Sequence, residues 1–369
     1  MRPTYGVRRF PVGMDLNDAA WMVRSLGQSV SVVHLTDEGE VVAGGWDGLL
    51  AMWDADGTLV WKTSTPDRVS ALAVGSTSML ATSGLHVLHI DRSTGDVMWS
   101  VQLEGSADDV RWWNGQVLAV SSVYDIEHHD FLESAVWCFA PEGDLQWVER
   151  MDERPWAVLA SEGRLLAGLG RPRCGWLNLT NGPPFEHVPG DSPVTCGGVG
   201  PVIAAFGCAD GSVWGVDGAR LSVEASSITA LNGTASGYAV TTEDGQFTVH
   251  DMDGTKRWTA TGAEVHAQGE ALFIDGSGLL WVARAADQGS ELSVLRADDG
   301  SVLASVRTAR VRHLHANGQR VAVGYEDGEV RVWEQGLFER RWSTRDAATN
   351  EPQNERASAL QAKLRALRG

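Results

Sequence analysis

Short apolar runs recur along most of the chain, each broken by turn residues. In the first unit they are Ser31 to Thr36, Val41 to Gly45, Leu49 to Trp53 and Thr58 to Thr63, with Asp47-Gly48 and Asp56-Gly57 between them. Runs of this length are strands, and Asp-Gly supplies the positive φ that a tight hairpin demands, so the unit reads as a four-stranded antiparallel meander. The glycine of its last hairpin recurs at Gly57, Gly95, Gly143, Gly182, Gly218, Gly254, Gly300 and Gly336. Successive spacings of 38, 48, 39, 36, 36, 46 and 36 residues fit propeller blades and not helical solenoids. Eight units predict an all-β fold, an eight-bladed β-propeller of four-stranded antiparallel blades, with seven blades as the alternative. A four-stranded sheet cannot bury both faces alone, so blades must pack face to face around a ring.

The two long spacings place insertions near Tyr124 to Glu133 in the third blade and near Asp275 to Gly289 in the seventh. Tryptophan follows the hairpin glycine by four residues at Gly57/Trp61, Gly95/Trp99, Gly143/Trp147 and Gly254/Trp258. Trp53, Trp137, Trp176, Trp214 and Trp333 fall on third strands, and Trp61, Trp99, Trp147, Trp258 and Trp342 on fourth strands. Such rings are expected to fill the wide end of the gaps between blades rather than stack on ligands. Trp99, whose repeat is the most complete, is expected to be a buried anchor.

The segment Asp91-Arg92-Ser93-Thr94-Gly95-Asp96-Val97-Met98-Trp99 resembles the tryptophan-docking repeat of pyrroloquinoline-quinone-type propellers, with weaker copies ending at Trp61, Trp147 and Trp258. Val321 to Glu334 and Val41 to Asp54 resemble WD-repeat hairpins. The resemblance spans about residues 30 to 345 and implies the fold. It does not choose among the dehydrogenases, assembly scaffolds and signalling adaptors that share it. The adjacent cysteine pair typical of the quinone enzymes is absent, and no cofactor is expected.

The ends divide the chain further. Residues 1–29 are expected to be an N-terminal cap or edge segment, with Asp15 to Leu26 in roughly helical spacing; residues 30–345 the propeller; and residues 346–369 a linker followed by an amphipathic helix. In that helix Leu360, Leu364 and Leu367 form one stripe beside Lys363, Arg365 and Arg368. Residues 1–29 hold no apolar run long enough for a signal peptide or membrane span, which predicts a cytoplasmic protein without membrane association. Cys138, Cys174, Cys196 and Cys208 show no CxxC spacing and are read as packed, reduced thiols lying singly in different blades. A formal net charge of −18 disfavours nonspecific binding to nucleic acid, apart from weak contact through the basic tail.

Candidate chemistry gathers in one region. Loops that enter the first strand and loops joining the second and third strands share one face of a propeller. On that face the third blade presents Tyr124, Asp125, Glu127, His128, His129 and Asp130 from its insertion, and Asp108 and Asp109 from its entry. The fourth presents Arg154 and Trp156 from its entry, and Arg171 and Arg173 from the following loop. Adjacent histidines point apart on an extended chain and no i, i+4 pair occurs, so no metal site is expected. Arginines beside carboxylates suit two-pronged recognition. The reading is therefore a noncatalytic scaffold or adaptor that binds protein partners through this loop face. The alternative is an enzyme, a hydrolase or lyase, possibly metal-dependent, that uses the third-blade insertion for acid/base chemistry.

Overall fold

A computed structural model describes residues 15–127 and 129–350. The chain forms eight four-stranded antiparallel sheets arranged as the blades of a propeller. The innermost strands of blades 1 to 8 are Val30–Leu35, Val69–Val74, Ser106–Trp113, Pro155–Ser161, Val194–Val199, Ile228–Thr234, Val265–Ile274 and Val311–Ala316. Each lies against the inner strand of a neighbouring blade around a central channel. The buried apolar residues fall into eight clusters, one for each gap between adjacent blades.

The glycine–tryptophan rhythm has a direct physical cause. The indole N–H of Trp61 donates to the carbonyl of Arg92 in the next blade (2.8 Å), and Trp99 and Trp258 do the same to Pro141 (2.7 Å) and Ala297 (2.9 Å). The ring then lies flat on the next blade's last hairpin. A Cβ on Gly95, which has φ +77°, would sit 2.6 Å from the Trp61 ring, so only glycine leaves room. Blade 5 has no such tryptophan. There the buried Glu224 reaches across to His250 (2.8 Å) and Lys256 (3.0 Å) of blade 6, and an ionic cluster holds the gap instead.

Ring closure departs from the sequence spacing. The outermost strand of blade 8 is Met22–Ser25, which pairs with Glu329–Glu334, so the segment read as a cap or edge completes the ring itself. Its antiparallel ladder, which pairs Met22 with Val332 and Ser25 with Glu329, makes it a strand and not a helix. Gly336 and Trp342 do not close an eighth hairpin. They belong to the helix Gln335–Asn350, which starts where Glu334 accepts from the backbone N–H groups of Gly336 (3.1 Å) and Leu337 (3.0 Å), and Phe338 and Trp342 pack it against the core of blades 7 and 8. The stripe Leu360, Leu364 and Leu367 lies outside the described residues. Cys196 and Cys208 share blade 5, one on each of its first two strands, and all four thiols are free.

The seam between blades 8 and 1 is held by histidines. His313 Nδ1 accepts from the Val33 N–H (3.4 Å) and His315 Nδ1 from the Leu35 N–H (3.1 Å), while the His34 and His315 rings lie 4.4 Å apart. An accepting nitrogen must be unprotonated, and burial pushes all three imidazoles down to about 4. The unfolded chain takes up these protons below about pH 6.5, whereas the folded ring refuses them until about pH 4. Stability is therefore held above the first value and lost progressively as pH falls towards the second. Urea midpoints should drop between about pH 7 and about pH 5, and the drop should shrink in His315→Gln. Equal midpoints at both pH values in the wild-type protein would count against this account.

Candidate functional site

Every inner strand carries a register shift near its start, at its second residue in seven blades and at its third in blade 3. Each bulge leaves one residue out of the ladder at the channel rim and re-aims its side chain. From blade 1 to blade 8 those residues are Ser31, Ser70, Asp108, Trp156, Thr195, Thr229, His266 and Arg312. A small hydroxyl is the common choice. Ser31 and Thr195 use theirs to bond the first inner-strand carbonyl of the following blade, Val69 and Ile228 (both 2.5 Å). Asp108 and Trp156 break that rule in adjacent blades 3 and 4, as do His266 and Arg312 in blades 7 and 8.

At the first departure the third-blade insertion is a projecting hairpin and not the expected loop. Strands Gln116–Asp125 and Asp130–Phe139 continue the ladder outward, pairing Tyr124 with Phe131 and Asp125 with Asp130. The Tyr124 ring packs edge-on against Phe131 (5.0 Å) and remains about half exposed. Arg150 ties the hairpin base to its own sheet through Glu104 (2.7 Å) and Glu133 (3.2 Å). Glu127, His129 and Asp130 lie at its exposed tip; His128 lies outside the described residues. The insertion of blade 7 is likewise absorbed by long strands, Val265–Ile274 and Ser277–Ala285.

Arg154 is the centre of the site. Its guanidinium carbon sits 4.3 Å from the ring centres of both Phe131 and Trp156, and its Nη2 lies 3.2 Å from Asp108. Burial raises the Asp108 carboxyl, and the Ser122 hydroxyl and Arg154 partly offset it. Asp109 follows in the ladder and turns to Arg111 (3.1 Å); burial raises its carboxyl too. The bulge thus splits this consecutive acid pair between two partners. Arg173 makes a two-pronged pair with the nearly buried Glu153 (3.2 and 2.8 Å), which holds that carboxyl below its usual range. Arg171 has no ion-pair partner among the described residues and is exposed.

These groups border an open cleft of about 560 Å³ lined by Phe131, Asp152, Arg154, Trp156, Arg171 and Thr195, among others. Arg154 and Trp156 also wall a channel cavity of about 350 Å³ on their other side, with Asp109 and Arg111. The sequence reading missed Phe131 as a ring that holds Arg154, and missed blade 5, which adds Pro193, Val194 and Thr195. The face rule that selected the entry loops of blades 3 and 4 applied equally to this one. No group of three or more histidine, cysteine, aspartate or glutamate side chains among the described residues is placed to hold a metal ion.

No protein-family model matches the chain, and no curated protein matches it by sequence. Solved structures do match in fold. BamB from Moraxella catarrhalis is similar at TM-score 0.67 and 18% identity, over 85% of this chain and 97% of that one. Sqt1 from Saccharomyces cerevisiae matches at TM-score 0.66 and 14% identity, over 86% and 98%. The computationally designed Ika8 protein matches at 0.65 and 17%, over 84% and 98%. The chain shares the fold of PQQ-like and WD-repeat propellers. No helix among the described residues is long and apolar enough to cross a membrane.

Proposed function

We propose that this protein is a scaffold or adaptor that binds a protein partner through the loop face over blades 3 to 5. The observation that carries this reading is the exposed Arg171, without an ion-pair partner among the described residues, beside the half-exposed Trp156 on the rim of the cleft. Arg154 and Arg173 are already committed to Asp108 and Glu153 and serve to stiffen the surface, whereas Arg171 is free to meet a partner's carboxylate. An exposed tryptophan supported from behind by a guanidinium is the kind of side chain that dominates binding energy at an interface. WD40 propellers such as that of Doa1 share this fold, which is compatible with a scaffold role.

Affinity purification from the native host, with bound proteins quantified by mass spectrometry, tests the proposal. Arg171→Ala should weaken capture of the principal partner about tenfold while leaving stability within about 0.5 kcal/mol. Trp156→Ala should cost about 2 kcal/mol or more of binding. Arg173→Ala should behave differently, lowering the melting temperature because it strands Glu153. Full partner capture by both Arg171→Ala and Trp156→Ala would sink the proposal.

A further inference from the structure

The second departure in the ring of bulge residues lies half a turn from the cleft. Arg312, at the bulge of blade 8, approaches the turn between the second and third strands of blade 1, which carries Trp46. Arg68, which precedes the inner strand of blade 2, approaches the same ring from another blade. The two guanidinium carbons lie 3.8 Å (Arg68) and 5.5 Å (Arg312) from the Trp46 ring centre. Three blades thus bring two cations to one indole that remains 39% exposed.

The charges there are incompletely matched. Arg312 pairs with Glu326 (2.5 Å), but Arg68 has no ion-pair partner among the described residues. Asp67, the nearest carboxylate in sequence, is turned to the backbone N–H of Arg68 (2.7 Å) and not to its guanidinium. The Nε–H groups of Arg68 and Arg312 are both buried and have no acceptor among the described residues. Burial and then repulsion from the nearby Arg312 charge push the Arg68 guanidinium below its usual range. An anion at the Arg68 guanidinium offsets that repulsion.

We propose that Arg68, Arg312 and Trp46 form a carboxylate-binding site that takes an acidic side chain of a peptide segment, separate from the cleft over blades 3 to 5. The Arg68 guanidinium, which has no ion-pair partner among the described residues, offers a planar fork of N–H donors that suits the two oxygens of one carboxylate. Glu326 already shows that Arg312 accommodates this group, and one uncompensated guanidinium calls for a single negative charge. The exposed part of the indole offers a contact for the aliphatic stem. In a protein of net charge −18 such a site selects by short-range pairing, because the wider field repels acidic chains.

The test follows the indole N–H resonance of Trp46, assigned by its loss in Trp46→Phe, in the intact protein. The probes are a blocked tetraglutamate peptide, a blocked tetralysine peptide and inorganic phosphate. Tetraglutamate should move the resonance saturably, tetralysine should not, and Arg68→Gln should weaken the response about tenfold or more with the melting temperature unchanged. Arg68→Lys, which keeps the charge but not the fork of donors, should recover only part of it. No saturable shift with tetraglutamate, or an equal shift in a folded Arg68→Gln protein, overturns the proposal. A response to phosphate alone overturns the assignment to a carboxylate.

Discussion

Deletion of residues 1–26 is expected to open the ring. The deleted stretch includes the strand Met22–Ser25 and four fully or nearly fully buried side chains, Leu16, Ala19, Met22 and Leu26. Burying one large aliphatic side chain contributes about 1.5–3 kcal/mol, so the combined loss rivals the about 5–15 kcal/mol that separates a folded domain from its unfolded chain. Its removal also leaves Glu329–Glu334 as an unpaired edge, a template for pairing with a second chain. The truncated protein should lose its cooperative melting transition and elute as higher-order species on size exclusion. A synthetic peptide covering residues 15–28 should restore the monomer. If the truncated protein stays monomeric with an unchanged melting temperature, the strand is not the closure.

The second large effect is expected at Trp333. Its ring is 0% exposed, packs 4.9 Å from Trp281, and donates its N–H to the carbonyl of Leu16 (2.8 Å), so it joins blade 8 to blade 7 and to the closing segment at once. Trp333→Ala should cost about 3–5 kcal/mol through lost packing and a cavity that three elements cannot jointly fill. Trp99→Ala should cost less. Although Trp99 stands in the most regular repeat, its ring lies over the hairpin of blade 3 and is only half-buried. Denaturant titration of both variants decides the order, and a larger loss for Trp99 would contradict it.

The blade count was legible because the requirement that writes it is local. A hairpin glycine must admit the preceding blade's tryptophan, and that demand recurs wherever the contact recurs. The eighth blade misled the reading because its outer strand comes from the other end of the chain. Gly57 shows why: a Cβ there would touch Met22 and Arg24 of the closing strand, so the glycine survives while its tryptophan partner does not. Gly336 and Trp342 imitate the repeat, but they stand six residues apart and not four. Phe338 and Trp342, at i and i+4 behind a capping glutamate, carried the helix signal instead.

For the candidate site, the shared face of Asp108, Arg154, Trp156, Arg171 and Arg173 followed from topology alone. Which arginine is spoken for did not. Arg171 and Arg173 are two residues apart in one loop and chemically identical, and only the position of Glu153 separates them. The bulges were equally silent, because a register shift depends on how two strands pair and leaves no mark on either one alone.

Blade 4 stands opposite blade 8 in the ring. A split washer that gapes at its cut must flex at the point diametrically across, so any parting of the Met22–Ser25 seam is taken up as bending among blades 3, 4 and 5. The cleft straddles that flexing arc. A partner lodged there acts as a splint on the hinge, and its binding should slow amide hydrogen exchange at Met22–Ser25, which it never touches.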